Sequence, residues 1–187
     1  MSRSLPASAE AQPNARERIL RTAGALFYRE GYRAVGVDWV IAEAGVAKAT
    51  FYNHFPSKDD LIVAWIERAE NLGDSALLRD DGPEPLTAYA EAVISIAARE
   101  QCLGCTFQGT AAEFVDPGHP GHAASLGVKR RVLAELERRA RLQGVAAPRA
   151  AAERIFLLLE GIWASVRMFG RDAPLAEARE AVRRLIA

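Results

Sequence analysis

Lys48-Ala49-Thr50, Tyr52-Asn53-His54 and Lys58 bring two ammonium groups, a hydroxyl, a phenol, a carboxamide and an imidazole into one short segment. Such donors suit phosphate oxygens and base edges better than bond-breaking chemistry. Lys48 can donate to guanine O6 or N7, and Ala49 can pack on a thymine methyl. Their spacing decides whether they share a face. With Phe51 and Phe55 as the inward stripe of a helix, a step of about 100° per residue turns Ala49 and Asn53 directly outward. Lys48 and Tyr52 then lie on one flank, Thr50 and His54 on the other. Asn53 suits adenine or plain solvent equally well.

A second constellation is Cys102-x2-Cys105 followed by His119-x2-His122. Four potential zinc ligands in this order invite comparison with C-x2-C…H-x3-H sites, but the histidine spacing is one residue short and Pro120-Gly121 lies between them. A disulfide between Cys102 and Cys105 would instead make a redox switch. The plainer reading is a small buried cysteine opening a helix, a second cysteine in the preceding turn, and histidines in a loop. No metal and no cofactor is assigned. There is no Gly-rich phosphate loop, Gly-x-Ser-x-Gly elbow or His-Glu-x-x-His pair, so the chain does not read as an enzyme.

The outward-facing donors need a rigid support, and residues 37–58 supply one. Val37, Val40, Ile41, Ala44, Val46, Phe51 and Phe55 fall at helical spacing except across Ala44-Gly45-Val46, where Gly45 permits the positive φ of a tight bend. Two short helices and a turn of this kind make a helix-turn-helix. Upstream, Asn14 is a good N-cap for a helix to Glu30 with Ile19, Ala23, Leu26 and Phe27 inward; Gly31 is expected as its left-handed C′ residue and Tyr32 as its apolar contact. Downstream, Ser57 to Asp60 resembles a capping box opening a fourth helix through Leu61, Ala64, Trp65 and Arg68 to about Leu78. Residues 80–85 read as a loop, 86–99 as a fifth helix and 105–115 as a sixth. The seventh, 122–143, has a narrow stripe at Leu126, Leu133, Leu136 and Ala140, with Arg138 and Arg139 on a solvated side.

Pro148 opens helix eight, which is apolar nearly all round over 155–169, and Pro174 stands at N1 of a ninth helix with Leu175, Ala178, Val182 and Leu185 on a stripe. Such helices need cover on both sides. A second copy of the chain would supply it, through Ile155, Leu158, Leu159, Ile162, Val166, Val182 and Leu185.

Half of the 187 residues are apolar, enough for a substantial core, and Lys plus Arg equals Asp plus Glu at 24 each. Any basic surface is therefore local. Between Asn14 and Lys58, Arg16, Arg18, Arg21, Arg29, Arg33, Lys48 and Lys58 outnumber Glu17, Glu30, Asp38 and Glu43. Two cysteines do not suggest a disulfide framework, and no apolar run reaches a membrane span. Residues 1–13 lack the apolar centre of a secretory signal, which leads to the expectation of a disordered arm and a cytoplasmic location.

The run Ala44-Gly45-Val46-Ala47-Lys48-Ala49-Thr50-Phe51-Tyr52-Asn53-His54-Phe55-Pro56-Ser57-Lys58, with Gly31-Tyr32 upstream, resembles the recognition segment of the tetracycline-repressor (TetR) family of bacterial transcription regulators. The motif covers about the first third of the chain. Gly36 and Ala47 depart from it, standing where the family often has Ser or Thr heading the two helices. The resemblance implies an all-α fold of about nine helices: a helix-turn-helix DNA-binding domain at 14–56 and a ligand-binding and dimerisation domain at 57–187. It implies that Lys48, Ala49 and Thr50 meet bases and nearby phosphates, and that Tyr52, His54 and Lys58 contact the DNA backbone. The last two helices would pair with their symmetry mates. The implied partners are a palindromic duplex, a second copy of the chain and a small, largely apolar effector, with no membrane; a repressor is the expected role. Trp65, Tyr89, Phe107, Glu113, Phe114 and Trp163 are expected around the effector cavity. A metal- or redox-sensing regulator using Cys102 and Cys105 with His119 and His122 is one alternative, and a constitutive DNA-binding protein without effector another.

Overall fold

The computed structural model describes residues 14–77 and 85–186. Those residues form nine α-helices and one 3-10 turn, with no strand among them. The helices are α1 (Ala15–Glu30), α2 (Val37–Ala44), α3 (Lys48–His54), α4 (Lys58–Leu77), α5 (Pro85–Ala97), α6 (Thr106–Glu113), α7 (Pro120–Leu142), α8 (Pro148–Phe169) and α9 (Leu175–Ile186). The all-helical fold expected from the periodicity is the one observed. The expected arm at 1–13 and residues 80–84 of the expected loop lie outside the described residues.

Local chemistry explains most helix ends. The Asn14 side chain accepts from the Glu17 N–H at 2.9 Å, and the Ser57 hydroxyl accepts from the Asp60 N–H at 3.1 Å. Gly45, at φ 60° and ψ 45°, ends α2 in a Schellman motif: its N–H reaches Ala42 and that of Val46 reaches Ile41. Gly36 and Ala47 cap α2 and α3 without a side-chain hydrogen bond.

Several ends differ from the expectations. Gly31 has φ 89° but ψ 156°, outside the left-handed helical region, because the chain there turns the Tyr32 and Arg33 N–H groups toward Glu113. Pro85 is the first residue of α5. α7 begins at Pro120, capped by the His119 ring, which accepts from the Gly121 N–H at 3.1 Å. The turn Gly170–Asp172 intervenes before α9, so Pro174 precedes that helix.

Two apolar clusters organise the packing. The first joins Ile19, Phe27, Val40, Phe51 and Phe55 to Leu61, Ile62 and Ile66 of α4 and to Phe114 and Val128, so it runs well past residue 56. The second is built by α5, α7, α8 and α9 around Leu86, Ile94, Leu136, Ile155, Leu159, Ile162, Val166 and Val182. Leu126, expected inward, is 40% exposed, whereas Arg139, expected in solvent, is fully buried. Arg139 lies over the Tyr89 ring and donates to Glu135 and to the Pro85 carbonyl, which compensates its burial.

The helices α1 and α4 meet at Gly24, where a methyl group would fall 2.2 Å from the Trp65 indole. Glycine inside a helix forfeits about 1 kcal/mol of propensity, and here the missing side chain makes room for the ring. Gly24→Ala is expected to destabilise the protein by about 1–3 kcal/mol despite the better propensity of alanine. Ala47→Ser is expected to stabilise by about 1 kcal/mol through the new cap. Urea unfolding of the two variants checks both signs.

Candidate nucleic-acid interface and adjoining cleft

Helix α3 is held by its apolar side. Phe51 is fully buried and Phe55 2% exposed, their rings 6.0 Å apart, with the Arg16 guanidinium over Phe55. Lys48, Ala49, Tyr52, Asn53 and His54 are exposed and Thr50 is half-buried, the arrangement the spacing predicts. The donor row therefore stands on a fixed helix. The corner before it is fixed too, because Arg18 of α1 donates to the Gly45 carbonyl at 3.0 Å.

Two electrostatic features were not read from the sequence. Lys48 pairs with Asp38 of α2 at 3.1 Å, and that hydrogen bond raises the lysine pKa. Lys58, at the head of α4, is half-buried, and burial pulls its pKa down against the opposing influence of Glu113 and Asp59.

Behind the helix-turn-helix, polar contacts join α1 and its following turn to the rest of the molecule. Glu113 at the end of α6 accepts from the Tyr32 N–H at 2.9 Å and the Arg33 N–H at 2.8 Å, while Arg33 Nε donates to the Glu113 carbonyl. The Tyr28 hydroxyl donates to the Gly104 carbonyl at 2.8 Å and accepts from the Leu103 N–H at 2.7 Å. Burial pushes its pKa up to about 12, so the phenol stays protonated. Arg68 of α4 pairs with Glu17 of α1.

A cleft of about 1150 Å³ opens along the α1–α4 junction, with Trp65, Leu72, Ile96, Phe107 and Trp163 among its apolar walls. A small cavity of about 80 Å³ is lined by Tyr89, Phe107 and Trp163, with Lys129 and Glu160 ion-paired in its wall. Four of the six expected cavity residues, Trp65, Tyr89, Phe107 and Trp163, thus line these spaces. Glu113 and Phe114 line neither: the Glu113 carboxylate is committed to backbone N–H groups, and Phe114 stacks on the His119 ring within the first core cluster. The wall contributed by α1 was missed. Gly24 in mid-helix was its one sequence signal.

Two further expectations change. Ile155, Leu159, Ile162, Val166 and Val182 are buried in the protomer's own core and Leu158 and Leu185 are half-buried, because α8 turns that stripe onto α5, α7 and α9. The opposite face carries Leu157, Gly161, Ala164 and Met168, all exposed. Cys102 and Cys105 are free thiols lining the cleft, whereas His119 caps α7 and the His122 ring meets the Phe114 carbonyl. No group of three or more His, Cys, Asp or Glu suited to a metal occurs among the described residues.

The exposed donors of α3 stand on a helix-turn-helix beside an apolar cleft, and comparisons with known proteins agree with that architecture. Residues 19–65 match the family described as bacterial regulatory proteins, tetR family. The repressor KstR of Rhodococcus jostii (strain RHA1) is 39% identical over 79 residues, 42% of this chain and 37% of its own. The uncharacterized regulator YxaF of Bacillus subtilis (strain 168) is 30% identical over 78 residues, 40% of this chain and 41% of its own. The matched segments thus span less than half of these relatives. The structure of SCO4454, a TetR-family transcriptional regulator from Streptomyces coelicolor, superposes with a TM-score of 0.85 at 29% identity, covering 92% of this chain and 94% of that one. A putative regulator from Saccharomonospora viridis, solved in complex with choline, shares the fold at a TM-score of 0.72 and 22% identity, covering 92% and 95%. Residues 19–65 thus carry the helix-turn-helix segment of the TetR family, and the chain shares the fold of a TetR-family transcriptional regulator. No described helix is long and apolar enough to cross a membrane.

The Arg68 hydrogen bond holds the Glu17 carboxyl below its ordinary value near 4.5. A lowered folded pKa stabilises the native state above the unfolded pKa, and that contribution is lost as pH falls through the folded value. Glu17→Gln is expected to be less stable than the parent at neutral pH, with the difference closing in acid below about pH 4. Denaturation curves across that range check the sign.

Proposed function

We propose that the protein is a homodimeric repressor that binds a palindromic operator through α3 and is released by a small, largely apolar effector. The observation that carries the reading is the exposed row Lys48, Ala49, Tyr52, Asn53 and His54 on a helix anchored by fully buried Phe51. In this reading residues 14–56 form the DNA-binding domain, residues 57–187 bind ligand and dimerise, and the protein works in the cytoplasm, where the DNA is. Lys48 and Asn53 address base edges, with Ala49 and Thr50 against bases and nearby phosphates; Tyr52, His54 and Lys58 address the backbone. Asp38 competes with the DNA for Lys48. The apolar cleft along α4, beside Trp65, Phe107 and Trp163, is where an effector reaches the α1–α4 junction. That a protein of the same fold holds choline supports a small-molecule ligand.

One helix-turn-helix reads one half-site, so a palindrome calls for two. Leu157, Gly161, Ala164 and Met168 recur at helical spacing on the open side of α8, with small residues between large ones, which suits close approach of a partner helix. Leu157→Glu with Met168→Glu is expected to give a folded monomer in sedimentation velocity at micromolar concentration. A stable dimer in that variant would remove this face from the interface.

The DNA assignment is tested with an operator selected from random duplexes. Lys48→Ala is expected to weaken binding and relax specificity, while Lys58→Ala weakens all sequences alike and lowers the salt slope by about one. Asp38→Asn, by freeing Lys48, is expected to tighten binding severalfold. Wild-type affinity in both lysine variants at moderate salt would refute the role of α3.

A further inference from the structure

A second cleft, of about 770 Å³, adjoins the apolar one and has a different character. The two share Tyr28, Arg29 and Cys102 in their walls. Four arginines line the second cleft, Arg29, Arg99, Arg167 and Arg171, against a single carboxylate, Glu100, which pairs with Arg171. The Arg99 and Arg167 side chains make neither a hydrogen bond nor an ion pair among the described residues, and the Arg29 side chain reaches its neighbour Glu30 at 3.9 Å. Arg29, Arg99 and Arg167 thus line one concave space whose carboxylate is taken by Arg171, with the Arg167 guanidinium lying beside Gly104 and Gly109. Guanidinium forks match carboxylate and phosphate oxygens, and a cleft concentrates the field of its charges.

We infer that the effector is an amphipathic anion: an apolar body in the cleft beside Trp65, Phe107 and Trp163, and a carboxylate or phosphate head between Arg29, Arg99 and Arg167. The inference rests on the effector reading above and narrows it to a chemical class. It also supplies a lever. Arg29 and Tyr28 end α1, whereas Arg99 follows α5 and Arg167 lies on α8, so an anion bound to all three guanidiniums ties the base of the helix-turn-helix to the helical body. Such a ligand favours whichever placement of α1 brings the guanidiniums closest together. If the operator needs another placement, ligand and DNA oppose each other by one coupling factor.

The test uses the full chain carrying Trp39→Phe, which leaves Trp65 and Trp163 as the fluorescent reporters in the apolar cleft. Decanoate, decyl phosphate, decanol and decyltrimethylammonium share one chain length and differ in the head. Fluorescence titration at low salt is expected to show at least one of the two anions binding tenfold or more tighter than decanol, with the cation weakest; which anion binds tighter distinguishes a carboxylate from a phosphate head. In Arg99→Gln with Arg167→Gln, two exposed positions, affinity for the preferred anion is expected to fall about tenfold, toward that of the alcohol. If decanol binds as tightly as the anions, or the arginine variant keeps the preference, the anionic class is wrong while the apolar cleft stands. If the cation binds tightest, the class is likewise wrong. If none of the four binds, the cleft as an effector site is also overturned.

Discussion

The contact of the Trp65 indole with the bare backbone of Gly24 is the constraint on which the rest of the arrangement depends. It is too close for any side chain at Gly24, so the distance and rotation of α1 against α4 are set by the ring. The same indole is a wall of the apolar cleft. Whatever fills that cleft therefore presses on a residue that positions α1. Since α1 in turn carries Arg18, which holds the α2–α3 corner, the cleft and the outward face of α3 are linked through two packed helices and one hydrogen bond.

Polar contacts surround this apolar joint and give it direction. The Glu113 carboxylate receives two successive backbone N–H groups of the α1–α2 turn, Tyr28 engages the loop before α6, and Glu17 pairs with Arg68 of α4. Each is charge-assisted or partly buried and has a definite geometry, unlike the exposed Lys48–Asp38 pair, which solvent screens. A ligand or a duplex can exchange the exposed pair at little cost. Exchanging the buried set requires helices to move together, which is how a local event can reach a distant surface.

The helix-turn-helix was legible in the sequence because its information is local. Phe51 and Phe55 four residues apart, Gly45 at the corner and the Ser57–Asp60 cap each act within a few residues, and each appears as expected. Glu113 was misjudged because a carboxylate among apolar neighbours looks like a pocket group until the chain shows that Tyr32 and Arg33, eighty residues away in sequence, bring their N–H groups to it. The same holds for Arg139, whose compensation comes partly from the Pro85 carbonyl. On α8 the composition revealed an excess of apolar residues but not which stripe faced inward, since two sets at helical spacing share the helix. Burial divides them: 155, 159, 162 and 166 to the core, 157, 161, 164 and 168 to the open face. Arg99 and Arg167 are unremarkable in sequence and come to line one cleft only through the placement of α5 and α8.

If the outward face of α3 and the cleft are coupled through α1 and α4, operator binding must be felt at the cleft, and amide hydrogen exchange with and without the selected operator duplex tests this most directly. Exchange should change not only in α2 and α3 but also at Tyr32 and Arg33, in α6, and in α4 around Trp65, far from any base. Changes confined to α2, α3 and the first turn of α4, with the Glu113 contacts and the Trp65 region unaltered, would contradict the claim.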